Sequence, residues 1–423
     1  MLSLNELGSL PQFASLRHRD FRFTWLASMA SSAAMWTTIV STSWIVFERS
    51  SGSGWVGIVT FAAMIPFLFV APIGGLLGDM FDRRRIVILS FLFNGAVISA
   101  LAALSISGTL QLWHVALLAL VGGIIRSIQE PALSALIPNQ VPKKDLLNAL
   151  ILQGASRHGA RFFGLIVAAP LLTFDELGVS AVLVLSVVFQ LLAAVAIAGV
   201  RTASSGETEP EHGIVRSLLD GLVFIYSHQA LALFVLMVAF HCALVMSFES
   251  IMPTFSRGSL GADDPSIFNL LMMGFGAGSL AGMAVVAGVR SEKRKGQILL
   301  YTGVASGVAP ILLAVSGSIP IALIFAATMG ASQATFMALT NTYVQVMAPD
   351  RLRARISSLY VLHAGGIMAF ANLGYGFMAD IFTAPPVLIT TGALFVLMVV
   401  SLAVGQPIMR NVYRTGQTGA ARA

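Results

Sequence analysis

Twelve apolar stretches, each about twenty residues or longer, follow one another through this chain of 423 residues. They fall at 23–47, 55–78, 86–107, 112–137, 147–171, 177–200, 230–254, 266–289, 297–316, 319–346, 356–380 and 386–408. A helix of roughly 20 apolar residues crosses the hydrocarbon core of a bilayer. Lipid offers no partner to a backbone N–H or C=O, so a crossing segment is a helix or a strand of a closed barrel. The runs are long and continuous rather than alternating segments of about ten residues, which excludes the barrel. Composition agrees: 57% of the residues are apolar and 10% are charged, against about 25% charged in a soluble domain. The expected fold is an all-α polytopic membrane protein with about twelve transmembrane helices.

Charge then sets the orientation. Twenty of the 25 Lys and Arg lie in one set of alternate connecting segments, and only Arg49 and Arg257 in the other. The side rich in Lys and Arg is the cytoplasmic one, so both termini are expected there. The net charge of +6 is therefore a topology signal. No basic face with interleaved aromatic residues stands outside the spans, so nucleic acid is not an expected partner. The first twenty residues lack an apolar core with a small-residue cleavage site and do not read as a signal peptide. Cys242 is the only cysteine, which excludes an internal disulfide and the usual Cys/His metal sites. No cofactor is expected. The chain has no G-x-x-x-x-G-K-[ST] loop, so ATP is not the direct energy source. No nucleophile–base set or metal dyad lies in a span, which argues against an intramembrane enzyme.

The longest polar stretch, Arg201 to Gly213, follows the sixth span and reads as a linker. After it, Ile214, Leu218, Leu219, Leu222 and Ile225 recur at helical spacing, as in a short helix lying in the inner interface. The two halves echo each other. VPKKDL follows span four and APDRLRAR follows span ten, with Pro142 and Pro349 207 residues apart. Arg84 after span two and Lys295 after span eight lie 211 apart. The expected organisation is a cytoplasmic segment 1–22, a six-helix bundle 23–200, a linker with its interfacial helix 201–229, a second six-helix bundle 230–408 and a cytoplasmic tail 409–423.

The stretch GGLLGDMFDRRRIVIL, Gly74 to Leu89, carries Gly75 and Asp79 ahead of Asp82, Arg83, Arg84 and Arg85. It resembles the signature loop between spans two and three of major facilitator superfamily transporters, G-x-x-x-D followed by Arg or Lys. LRHRDFRFTW (Leu16 to Trp25), PALSALIPNQVPKKDLLNA (Pro131 to Ala149) and NTYVQVMAPDRLRARISSLY (Asn341 to Tyr360) resemble the branch of bacterial exporters that includes the enterobactin exporter and macrolide-efflux proteins. The chain departs from the pattern at Met80, where the family has Arg, and at Ala34-Met35, where the branch often has Gly-Asp. In span five it has Gly164-Leu165 and Ala168-Ala169 in place of the exporters' Gly-Pro and paired glycines.

The resemblance implies secondary active export of a small molecule, drug-like compound, siderophore or other metabolite by alternating access, with two bundles rocking about a central site. It implies a proton as coupling ion, a monomer surrounded by lipid, and the bacterial inner membrane. Uptake or facilitated movement of a sugar or metabolite is one alternative. A non-transporting membrane sensor or assembly partner is another. Asp79 ends span two, where the helix's own dipole disfavours a negative charge. In the family this loop meets the start of span eleven, here Asp350, Arg351 and Arg353, when the inner side closes. That implies a charge-paired gate.

Ionisable groups inside spans are costly and point to function. Arg126 and Glu130 in span four are four apart, and so are Arg157 and Arg161 in span five, with His158 between them. At about 1.5 Å per residue, Glu130 and Arg157 lie at similar depth, as do Arg126 and Arg161. Three arginines and one glutamate favour an anionic substrate group; internal pairing of the two spans is the alternative. For proton coupling the candidates are Glu249, with His241 eight residues earlier on about the same face, and Glu130 or His158. Glu48 and Asp380 fall at outer helix ends, where solvation is the expectation.

Overall fold

The computed structural model describes residues 11–173, 178–202, 214–349 and 352–418, and no strand occurs among them. Nine helical stretches among the described residues are long and apolar enough to cross a bilayer, Gln229–Leu260 counted as one. The expected spans one, two and five are helical as well, and each has a reason in its sequence for departing from a plain apolar rod. Span one is α1, Arg19–Ser50, rich in Ser and Thr. Span two is interrupted where prolines remove N–H donors. It runs as α2, Gly54–Met64, a short turn Pro66–Phe69, and α3, Ala71–Met80. Each piece after a break has proline in its first turn, where the missing donor costs nothing. Span five is α6, Lys143–Ala168, and carries the two arginines.

The chain divides into two compact units. One comprises Met1–Arg49 with Ala62–Glu209, the other Ser50–Phe61 with Pro210–Ala423. In the first unit α1 and α6 join α4 (Arg83–Ile106), α5 (Leu112–Leu136) and α7 (Gly178–Ala198). Ala27, Val87, Phe91, Leu136, Ala193 and Ile197 form one core among α1, α4, α5 and α7. Hydroxyl groups on α1 meet polar groups of the neighbouring helices. Thr37 and Ser186 are 2.7 Å apart, and Gln153 Nε2 donates to Ser28 Oγ at 2.6 Å. Thr37 and Ser28 of α1 thus find partners inside the unit instead of facing lipid.

The second unit holds α8 (Ile214–Ser227), α9 (Gln229–His241), α10 (Met252–Leu260), α11 (Ser266–Ala287), α12 (Glu292–Ala314), α13 (Ile319–Met347), α14 (Arg353–Phe382), α15 (Ala384–Gly405) and α16 (Pro407–Thr415). Phe234, Phe336, Phe395, Leu299 and Val238 lie in its core. Helices α11 and α13 approach closely at glycines. A methyl on Gly278 would stand 1.8 Å from the Ala327 carbonyl oxygen, and one on Gly330 1.9 Å from that of Phe275. The expected helix after the linker is α8. It is tied to α14 by Asp220 and Arg355 at 3.7 Å and by Tyr226 and His363 at 3.0 Å.

Span seven, expected as one helix over 230–254, is broken. After α9 the chain makes a π turn at Cys242–Met246 and a tight turn at Glu249–Ile251 before α10. Such wide turns leave carbonyls off the regular ladder. Side chains from other helices take them: Tyr375 Oη donates to Leu244 O at 2.6 Å, and Gln333 Nε2 to Val245 O at 2.9 Å. Ser247 Oγ donates back to Cys242 O at 2.8 Å. Periodicity does not reveal the break, because every residue from Leu231 to Phe240 is apolar and the partners lie about ninety residues or more downstream.

Candidate functional site

The charged residues of spans four and five come together in the first unit. Glu130, near the end of α5, accepts from Arg157 of α6, and its other oxygen lies 4.0 Å from Arg126 one helical turn earlier. Glu130 and Arg157, placed at similar depth by the helix rise, are thus in contact. The Glu130 and Arg126 side chains are 29% and 28% exposed, whereas that of Arg157 is 53% exposed. Arg126 also stands over the Phe67 ring, 5.5 Å from its centroid. The side chain of His158 lies outside the described residues.

Arg161 behaves differently. It is 4% exposed, and its guanidinium lies 3.9 Å from the centre of the Trp36 ring on α1. A cation over an indole face is attracted by the ring quadrupole, more so away from water. Trp36 Nε1 is itself buried with no hydrogen-bond partner among the described residues. A donor left open beside a cation in a span is a place for a ligand or water. A separate amide–hydroxyl chain joins α4, α5 and α1: Asn94 Nδ2 donates to Gln129 Oε1 at 3.4 Å, and Gln129 Nε2 to Ser31 Oγ at 3.5 Å. Trp36, Gln129 and Ser31 do not stand out in the sequence, since their importance depends on how α1 is rotated against α5 and α6. The one legible hint is the run of hydroxyl residues in an otherwise apolar span.

The loop motif has a local structural role. Asp82 caps α4, accepting from the Arg84 N–H at 2.8 Å and the Arg85 N–H at 3.4 Å. Arg83 donates through Nε to Gly78 O at 2.9 Å and through a terminal nitrogen to Ala135 O at 3.4 Å. Arg84 donates to Ala198 O. Two arginines thus serve the carboxyl ends of α3, α5 and α7, where unpaired carbonyls and the helix dipole favour a cation. Gly75 falls on α3; the side chains of Asp79 and Arg353, together with residues Asp350 and Arg351, lie outside the described residues.

The coupling candidates of span seven are separated by its break. His241 is fully buried between Phe336 and Phe395, with ring centres 4.6 and 5.1 Å away. Neither of its nitrogens is hydrogen-bonded among the described residues. Glu249 opens the tight turn beyond the π turn, so the helical spacing that placed it on the face of His241 does not carry across. Asp380, expected to be solvated, is exposed and also accepts backbone hydrogen bonds from Ser53 and Gly54.

A family model described as transmembrane secretion effector matches residues 10–413. Among characterised relatives, the multidrug efflux pump Tap of Mycobacterium tuberculosis is 22% identical over 346 residues, which cover 78% of this chain and 80% of that protein. The macrolide efflux protein A of Streptococcus pyogenes is 24% identical over 337 residues, covering 77% and 81%. Solved structures of similar fold include a D-xylose-proton symporter, with a TM-score of 0.72 at 12% identity over 94% of this chain and 98% of that one. The human organic anion transporter MFSD10 gives a TM-score of 0.66 at 12% identity, over 93% and 100%.

Proposed function

The chain belongs to the transmembrane secretion effector family of the major facilitator superfamily, and on that premise we propose that it exports a small molecule across the bacterial inner membrane in exchange for protons. It is a multi-pass membrane transporter rather than an enzyme. In this proposal it works as a monomer with both termini in the cytoplasm. Residues 23–200 and 230–408 form the two bundles that alternate access. Asp79 with Asp350, Arg351 and Arg353 closes the inner side, on a base held firm by Arg83 and Arg84.

The export reading is carried by the named activities of the relatives; the Arg126–Glu130–Arg157 group, a carboxylate held by two cations within the spans, supports exchange at one site. Proton exchange needs a group that holds either the proton or the substrate. Glu130 fits that role better than His241, which is walled in by aromatic rings, and better than Glu249 in the turn beyond the π break.

Coupling also fixes the sign of the substrate. A cationic group that takes Glu130 from Arg157 displaces a proton and travels against it, which is export on an inward proton gradient. An anionic group that takes Arg157 from Glu130 leaves the carboxylate to bind a proton, and the two travel together, which is uptake. The excess of arginine favours the anion, so uptake stands as the second reading. The named activities of the relatives, multidrug and macrolide efflux, support export, and with it a substrate bearing a basic group.

A strain lacking its own pumps and expressing this chain tests the choice. Export predicts higher resistance to macrolides and other basic drugs, lost with a protonophore and in Glu130→Gln. Greater sensitivity to anionic toxic compounds, with no protection against basic ones, contradicts export and supports uptake.

A further inference from the structure

The strap Ser50–Phe61 belongs to the second unit although the residues on either side, Arg49 and Ala62, belong to the first. Helix α2 starts on it at Gly54. The amino end of a helix leaves N–H groups without intrahelical partners and carries partial positive charge. One carboxylate takes two such groups here. The Ser53 N–H donates to Asp380 Oδ1 at 2.5 Å and the Gly54 N–H to Asp380 Oδ2 at 2.9 Å. Asp380 lies in the last turn of α14, where its own helix dipole opposes its charge, so the strap supplies the positive end that its own helix lacks.

The fit around this contact is close. Ser53 is fully buried, and its hydroxyl is hydrogen-bonded to that of Thr254 on α10. A methyl on Gly54 would stand 2.7 Å from Asp380 Oδ2, one on Gly57 2.8 Å from Asn372 O, and one on Gly376 2.5 Å from Ser53 O. Both faces need glycine for the backbones to meet. Farther along, Phe61 packs edge-on against Phe370 at 5.2 Å.

We propose that Asp380 is a positioning residue for transport: its carboxylate holds the strap on α14 at one stage of the cycle and releases it at another. The proposal rests on the chain being a transporter, not on its substrate or direction. Both ends of the strap continue into the first unit, so motion of one unit against the other has to bend the strap or undo this contact. The contact is built to be undone. It consists of hydrogen bonds and small-residue packing, with Asp380 exposed enough for water to replace the two amides.

Ser53→Cys with Thr254→Cys, in a Cys242→Ala background, places two thiols where the hydroxyls meet. Transport of ethidium or labelled erythromycin by the reduced protein is expected to stop on oxidation and to return with dithiothreitol. A cross-linked protein that transports at the reduced rate overturns the proposal. If the reduced protein moves neither probe, the export reading is at fault, and a second measurement still decides the role of Asp380. Ser53→Cys alone is labelled by a membrane-impermeant maleimide in intact cells, with and without Asp380→Asn, on protein shown monodisperse by size exclusion. Labelling is expected to rise roughly tenfold or more with Asp380→Asn, the shift that follows loss of a hydrogen bond to a charged group. An unchanged labelling rate overturns the proposal.

Discussion

At the scale of residues, Glu130 is where stability and function separate. The Arg157 end of its ion pair is more than half exposed and Glu130 is partly so, so neutralising either partner leaves no fully buried charge unpaired. Arg157→Gln and Glu130→Gln are therefore expected to keep normal protein levels and a melting temperature within a few degrees of the parent, while transport is lost. Aggregated protein by size exclusion in both variants would assign the pair to folding instead.

Asp20 makes the opposite case. It accepts from the Arg201 and Thr202 N–H groups at 3.0 and 2.7 Å and from the Thr202 hydroxyl, fastening the start of α1 to the chain after α7. Burial alone raises its carboxyl pKa, but these hydrogen bonds and Arg19 outweigh burial and hold the pKa below the usual value. A group with a lowered folded pKa stabilises above its unfolded pKa and loses that contribution as pH falls through the folded one. The melting-temperature gap between the parent and Asp20→Asn is thus expected to be full at neutral pH and to close below about pH 4. A gap that widens on acidification contradicts the assignment. The Arg126/Glu130 spacing and the match of Glu130 to Arg157 in depth are legible in the sequence, since both follow from helix geometry. The Arg161–Trp36 stack and the Asp380 contact are not, because their partners are 125 and more than 320 residues away and are chosen by packing.

At the scale of elements, hydropathy locates the spans and prolines mark where span two is interrupted. The π turn in span seven leaves no such mark, since it is stabilised by Gln333 and Tyr375 from other helices. Gly278 of α11 and Gly330 of α13 bring those two helices together backbone to backbone. Gly278→Ala is expected to cost about 1–3 kcal/mol, the usual penalty for overpacking, and to lower the melting temperature in detergent. Gly258→Ala, on α10 with nothing within 4 Å of the added methyl, is expected not to lower it, because alanine is the better helix former by about 1 kcal/mol. Equal melting temperatures for the two variants would mean that α11 and α13 are not packed backbone to backbone.

At the scale of the whole molecule, direction, coupling and substrate charge form one linked claim. A proton-binding carboxylate shared by substrate and arginine makes the sign of the substrate follow from the direction of transport. Everted membrane vesicles, in which an exporter faces outward and accumulates its substrate, test that claim most directly. With the vesicle interior acidified, labelled erythromycin is expected to accumulate in vesicles carrying the parent chain. It is expected to leak out on adding a protonophore and to stay at background with Glu130→Gln. Accumulation that ignores the protonophore, or that persists in Glu130→Gln, would contradict the account.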